Sequence, residues 1–388
     1  MDSEFDVVIV GGGAIGSACA YFLITDAAFH GRVAVIEPDP GYTQAASALS
    51  ASSIRQQFST PINIALSAFG MDFLRNAASR GFMPLGLVES SYLYLATSAG
   101  LRALEERFAI QRSANVPVNF HDRIALEQRY PWLNAADLAA GTDTVGVEGW
   151  FDGYALLSSF RSANEQAGVR YLRDRVTGFD QSPASRIAAV RLEQRGPVGC
   201  GSVVLAAGTR SRALAAAVGI ELPVFARKRL VCVFSCPEVI PRCPLLIDPS
   251  GLWLRPDGDR FLCGIPQDPD PNVSPEDFEI DLELFESTAW PILAHRVPAF
   301  EAVRLASAWV GHYDYNTFDQ NAFVGPAPGI ANLCLACGFS GHGLQQAPGI
   351  GRGIAEHIIF GAYRALDLTP LSYDRFLQNL PLRELNVI

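Results

Sequence analysis

The sequence has no basic excess: 30 Lys and Arg stand against 40 Asp and Glu, a formal net charge of -10. A nucleic-acid surface needs a basic face to neutralise phosphate, so polyanion binding is not expected. No run of five or more like charges occurs, and the densest basic spot, Arg227-Lys228-Arg229, reads as a structural or solvated run. Long apolar runs are absent too, none approaching the ~20 residues of a membrane span. The first short one, residues 7–10, follows acidic Asp2, Glu4 and Asp6, the wrong flank for a signal peptide. A strand starting almost at the first residue leaves no room for a transit peptide, so a cytoplasmic location is the expectation. The eight cysteines form no disulfide framework. Cys334-x-x-Cys337 lies in an apolar run, and Cys232, Cys236 and Cys243 lack a matching metal-ligand half. Buried free thiols are expected, and no metal. Fixed-period repeats and low-complexity tracts are missing as well.

What is there is a globular balance, 49% hydrophobic and 18% charged over 388 residues, with material for two domains. Residues 6–10 read as a fully buried parallel strand, Ala14–Thr25 as a helix with Ile15, Cys19, Phe22 and Leu23 near one face, and residues 33–37 as the next strand, ended by Pro38. This is a βαβ unit. Mid-chain, residues 155–167 are helical in pattern; 169–172, 176–179, 186–193 and 201–206 follow as strands. Near the end, residues 333–336 read as a strand and 350–360 as a helix. Residues 86–147 and 222–306 differ: short alternating runs punctuated by Pro and Gly suit an antiparallel sheet. The expected fold class is α/β (α+β overall). One Rossmann-like domain is assembled from residues 1–85, 148–221 and 307–388, with a substrate domain of 86–147 and 222–306 inserted.

Gly11-x-Gly13-x-x-Gly16 follows the first strand, opens the helix and is trailed by Glu37 at the end of the second strand, the context a dinucleotide fingerprint requires. Gly11 permits the tight turn, Gly13 lets backbone N–H groups approach a pyrophosphate, and Gly16 lets helix and strand pack closely. The helix N-terminus adds partial positive charge. Glu37 can accept hydrogen bonds from ribose hydroxyls and disfavours a 2′-phosphate, which argues against NADP. The fingerprint alone does not separate FAD from NAD. A domain split around an inserted sheet, though, is the layout of a long FAD site.

A second glycine-rich stretch, Gly338-Phe339-Ser340-Gly341-His342-Gly343-Leu344, lies between a strand and a helix. Its three glycines allow close backbone approach to a flat ligand. Pro348 is expected where the following helix begins. The positive end of that helix would point into the turn and stabilise the negative charge that builds on a flavin ring upon reduction. His342 reads either as a contact to flavin or substrate or as a satisfied structural histidine.

With both motifs in place, the chain resembles the D-amino-acid-oxidase-like FAD-dependent oxidoreductases, the group of sarcosine oxidase, glycine oxidase and dimethylglycine dehydrogenase. The resemblance spans essentially the whole chain. It rests on Val8-Ile9-Val10-Gly11-Gly12-Gly13-Ala14-Ile15-Gly16, Val203-Val204-Leu205-Ala206-Ala207-Gly208, Leu222-Pro223-Val224 and the second glycine stretch. The strings Ser53-Ile54-Arg55-Gln56-Gln57-Phe58-Ser59, Tyr313-Asp314-Tyr315-Asn316-Thr317-Phe318-Asp319 and His342-Gly343-Leu344-Gln345-Gln346-Ala347-Pro348-Gly349 are similar to the FOXRED-type branch, which includes a mitochondrial protein linked to respiratory-complex assembly. The resemblance implies that Val176 contacts the adenine through its backbone, that Ala207 and Gly208 lie near the cofactor, and that residues 45–47, ending in Ser47, run beside the flavin. With Gly338, Gly341, His342, Gly343, Leu344 and Gln345 these complete the implied cofactor set. Arg55 matches the residue that holds the substrate carboxylate in sarcosine oxidase, and Tyr313 a tyrosine of the same pocket. Arg55, Tyr313, His342 and Gln345 are thus the candidate catalytic set, with Trp253 and Arg255 as further pocket walls. Arg55 also admits a structural reading, as an ion pair or flavin contact.

Three positions depart from that pattern. Gly311 stands where monomeric sarcosine oxidase carries its flavin-bound cysteine, so FAD is expected to be non-covalent. Gln345 replaces a carboxylate-holding lysine, and apolar Phe261 or Leu262 matches an oxygen-activating lysine. Losing that cation leaves oxygen and an electron carrier both open as acceptor, and dehydrogenase as open as oxidase. The implied reaction places a neutral amine or amino acid, N-methylated or D-configured, over the flavin. Hydride passes to N5, leaving an imine that water hydrolyses, with the protein supplying position and electrostatics. Arg55 would grip the carboxylate bidentately. The rival reading is a flavoprotein of assembly or interaction with little turnover.

Overall fold

The computed structural model describes residues 4–25, 29–265 and 267–386. The βαβ unit forms where the pattern predicts it, as β1 (Glu4–Val10), α1 (Ala14–Thr25) and β2 (Val33–Ile36). β1 lies between β2 and the strand Gly196–Leu205 and is parallel to both, with Val8 opposite Ala34 and Val203. Helices and loops cover both faces of this sheet, which is why β1 shows no alternation. Val7 and Ile9 join one apolar cluster, Val8 and Val10 the other. Each such side chain contributes about 1.5–3 kcal/mol on burial.

Arg170–Leu172 extends the sheet beyond β2, and Leu333–Cys337 pairs in parallel with Gly196–Leu205. Three stretches of chain far apart in sequence therefore share one eight-stranded sheet. α1 departs from the one-sided helix expected. Residues 16–23 are all buried, because the helices Gly153–Gln166 and Gly343–Phe360 pack on either side of it. The approach is close: a Cβ on Gly351 would sit 2.6 Å from the Ala18 carbonyl carbon. Beneath α1, Tyr21, Phe73, Phe82 and Phe160 pack edge to face or stacked, with Phe73 and Phe160 5.4 Å apart.

A second eight-stranded sheet runs in the order Arg304–Asn316, Val224–Ser235, Arg260–Gly264, Trp253–Asp257, Leu245–Ile247, Tyr92–Thr97, Leu138–Thr144, Val118–Asp122. Its pairings are antiparallel except that Leu245–Ile247 and Tyr92–Thr97 run parallel, so the sheet is mixed. The strand Arg304–Asn316 straddles the expected junction at 306/307 and leads back toward the first sheet. A small third sheet of Ser53–Ile54, Glu148–Trp150 and Val88–Ser90 delivers Arg55 to the boundary between the two large ones.

The helix expected at 350–360 begins earlier, at Gly343, with Pro348 inside it. Glycine-rich sequence disfavours helix intrinsically, but Leu344 through Ala347 are buried and tertiary packing overrides propensity. Pro348 leaves only the Leu344 carbonyl without its intrahelical donor. The result puts the positive end of the helix directly at His342, its N-cap.

Candidate functional site

One cavity of about 1080 Å³ joins the two glycine turns in a continuous groove. At one end the three fingerprint glycines differ in what they face. A Cβ on Gly11, whose φ is +101°, would lie 2.3 Å from the Ala206 carbonyl oxygen, and one on Gly16 would lie 1.9 Å from the Gly11 carbonyl oxygen. Both serve close backbone packing. Gly13 meets only the Ser47 hydroxyl at 3.3 Å and lines the cavity, as do Ala14 and Ile15; Gly16 does not. The Ser47 hydroxyl accepts from the Ala14 N–H at 3.0 Å. Glu37 accepts from the Gly12 and Asp39 N–H groups, both at 2.9 Å, and lines the groove with its carboxyl pushed up by burial. Val176, Ala207 and Gly208 also line the cavity.

At the other end, Gly341, His342, Gly343, Leu344 and Gln345 line the cavity, whereas Gly338 packs behind it against Val224. Gly341 has a φ of +91°, and a Cβ there would strike the Tyr313 ring at 2.5 Å. The turn is held by Asp314. Its carboxylate accepts from the Gly338 N–H at 2.6 Å and its carbonyl from the Ser340 N–H at 3.1 Å. Burial pushes that carboxyl up to about 6. No local signal marked Asp314 for this role.

Arg55 is buried in the wall of the cavity. Its backbone N–H donates to the Gln345 side-chain oxygen at 2.9 Å, and its guanidinium lies over the Phe58 ring at 4.5 Å. Nη2 contacts the His342 Nε2 at 3.1 Å and donates to the Asn386 carbonyl. Nε, also buried, has no partner, and no carboxylate among the described residues forms an ion pair with Arg55. Burial and the adjacent Arg55 charge hold His342 well below its ordinary range. The ring is therefore neutral. Since Arg55 can only donate, Nε2 accepts and Nδ1 carries the proton.

Tyr313 and Trp253 line the cavity; Arg255 does not. Arg255 shares a strand face with Trp253, but its guanidinium turns to the Ala51 carbonyl and to Asp257 at 2.9 Å. The Trp253 indole fits because Gly264 opposite it has no Cβ, which would come 2.0 Å from the indole nitrogen. Leu262 clusters with Val231, Trp253 and Trp309, and Phe261 packs in the core on the other face, so neither position supplies a cation. A Cβ on Gly311 would lie 3.2 Å from Leu49. The Arg229 side chain of the basic triplet also lines the cavity, paired bidentately with Asp270 at 2.8 Å. All eight cysteines are free, and most are buried. No His/Cys/Asp/Glu group among the described residues fits a metal ion.

Residues 6–357 match the DAO model, described as FAD dependent oxidoreductase. The chain belongs to this family. FAD is its cofactor, and the groove fits one: it is long, joins a helix N-terminus to a second glycine turn, and has open space at Gly13, where a Cβ would meet only the Ser47 hydroxyl. Within the family the chain is 38% identical to FAD-dependent oxidoreductase domain-containing protein 1 of Xenopus laevis, over 99% of this chain and 85% of the relative. It is 27% identical to glycine oxidase of Geobacillus kaustophilus (strain HTA426), over 97% and 98%. L-proline dehydrogenase from P. horikoshii shares the fold with a TM-score of 0.86 at 21% identity, over 98% of this chain and all 100% of that one. No helix among the described residues is long and apolar enough to cross a membrane.

Proposed function

We propose that this protein oxidises a small carboxylated amine, an N-alkylated or D-configured amino acid, and passes the electrons to a carrier more readily than to oxygen. The observation that carries this reading is Arg55, a guanidinium buried in the cavity wall with an unpartnered Nε. A buried donor without a partner is costly unless a ligand completes it. Bound FAD supplies a two-electron acceptor. The groove residues Gly13, Ala14, Glu37, Ser47, Val176 and Gly208 would hold its nucleotide half, and residues 341–345 its ring. Gly311 offers no nucleophile, so the cofactor would be released by acid precipitation.

The protein's own part is positional. Arg55 would take the substrate carboxylate while neutral His342 holds its Nη2 and Gln345 holds its backbone N–H. Tyr92, Leu245, Ile247 and Trp253 form an apolar wall nearby, where an alkyl group or ring is received and water excluded. A neutral amine beside these groups would give up a hydride, two electrons with one proton, to the bound acceptor, and the iminium left would be hydrolysed by water to a carbonyl compound and an amine. The apolar surroundings of Leu262 support the carrier over oxygen, because reduction of oxygen begins by forming an anion that benefits from a nearby cation. Two relatives named for glycine and proline oxidation support the substrate class. Free thiols suit a reducing compartment such as the cytosol.

An anaerobic panel of N-methyl, cyclic and D-amino acids tests the reading. Bleaching of the flavin band by at least one member is expected. If none bleaches it, a role in assembly with little turnover takes its place.

A further inference from the structure

Glu384 is a buried carboxylate, 2% exposed, that forms no ion pair among the described residues. It is satisfied by neutral donors alone: the Ser59 N–H at 2.8 Å and hydroxyl at 2.7 Å, the Thr60 hydroxyl at 2.9 Å, the Asn63 amide at 3.0 Å and the Asn386 N–H at 3.0 Å. Two residues on, the Asn386 side-chain amide donates to the Gln57 carbonyl at 2.8 Å, and its own carbonyl accepts from Arg55 Nη2. The Leu385 N–H donates to the Ser59 hydroxyl at 2.8 Å. The chain end thus crosses the outer side of residues 55–59 and grips the guanidinium by one edge. Nε is buried and without a partner, and Arg55 lines the cavity. A desolvated carboxylate with five donors is an expensive arrangement to retain for anchoring a chain end alone.

We propose that residues 382–386 are a positioning element of the substrate site, in which Glu384, without touching the cavity, sets the affinity for carboxylated ligands by fixing Asn386 and through it the orientation of Arg55. The proposal rests on the reading of Arg55 as the carboxylate anchor. Nη2 is committed to Asn386 and His342 and withdrawn from the ligand, so recognition uses the rest of the guanidinium. Its geometry is strict because an incoming carboxylate meets a guanidinium that cannot rotate.

The test is calorimetric titration of the FAD-loaded protein with benzoate and with benzamide, its neutral isostere, in wild type, Arg55→Lys, Glu384→Gln and Asn386→Ala. Wild type prefers benzoate, and Arg55→Lys erases that preference. Glu384→Gln, at unchanged flavin content, weakens benzoate about tenfold, as expected when one charge-assisted hydrogen bond is misaligned, and leaves benzamide alone. Asn386→Ala, which spares the carboxylate cluster, has the same selective effect should Glu384→Gln fail to fold. Benzoate affinity kept in both tail variants but abolished in Arg55→Lys overturns the positioning role and leaves the anchor standing. A wild type indifferent to the charge, or an Arg55→Lys protein that binds benzoate as well, overturns the anchor and the positioning role with it. Equal weakening of benzoate and benzamide in the tail variants marks a merely structural tail and overturns the positioning role too.

Discussion

At the Gly11–Gly16 end of the cavity the glycine turn runs continuously from β1 into α1. At the Arg55–His342 end the cavity is faced by side chains whose partners are 290 residues apart for Arg55 and Gln345, and 331 for Arg55 and Asn386. The first end tolerates no Cβ at Gly11, against the Ala206 oxygen, or at Gly16, but its glycine turn is otherwise set within one short stretch. The second has freedom at each residue and depends on the whole chain closing correctly. A nucleotide cradle is thus a local object, while a substrate site is a tertiary one, and damage to the two should read out differently.

Gly11→Ala should do the most harm, because the added carbon would meet the Ala206 oxygen at 2.3 Å with an unfavourable φ besides. We expect a protein that purifies without yellow colour and melts markedly lower, a loss of at least ~4 kcal/mol by the measures of overpacking and backbone strain together. A flavin-replete Gly11→Ala protein would show that this turn is less rigid than its contacts require.

The ring end should reveal itself through pH. The Asp314 carboxyl sits near 6 in the folded protein against an ordinary 3.8. The folded state therefore holds that proton more tightly than the unfolded chain, and stability from this group is full below about pH 4 and lost as pH rises through 6. The difference is worth about 3 kcal/mol. Denaturant titrations of wild type and Asp314→Asn between pH 4 and 7 should diverge by roughly that amount. Parallel curves would mean that folding does not tighten the hold of Asp314 on its proton.

Arg55→Lys comes next. It keeps the charge but not the fork, and should lower kcat/KM for a carboxylated amine about 100-fold at unchanged flavin content and melting temperature. An equal loss for an amine without a carboxylate would mean that Arg55 acts on something else. The smallest effect belongs to Gly13→Ala. Its Cβ clears everything except the Ser47 hydroxyl, so the fold should stand while FAD affinity, measured by fluorescence titration, falls about tenfold.

The same contrast separates what is legible along the chain from what is not. Glu37 and the fingerprint glycines are recognised by spacing because a strand, a turn and a helix within one short stretch already determine where they point. Arg255 shows the limit of such reasoning. It shares a strand face with Trp253, yet its side chain is claimed by the Ala51 carbonyl, 204 residues away, and leaves the cavity. The helix start at Gly343 was hidden because glycine-rich sequence argues against helix, and only burial of residues 344–347 reverses that preference. Asp270 and Glu384 had no sequence signal, and Asp314 had only its place in one resembling string, which says nothing of its role. Each is defined by a donor on a distant strand or turn.

The alternation and punctuation of this chain were enough to determine a nucleotide-binding βαβ unit, a second region of different texture, and two glycine turns separated by most of the sequence. Those are consequences of backbone sterics and hydrophobic period, which act over a few residues. That the turns share one groove, that Arg55 stands in its wall, and that residues 384–386 hold its guanidinium were decided by the tertiary structure. Contacts between residues hundreds of positions apart carry no local energetic trace. They exist only once the apolar faces have been buried and the remaining polar groups must find partners where the packing leaves them.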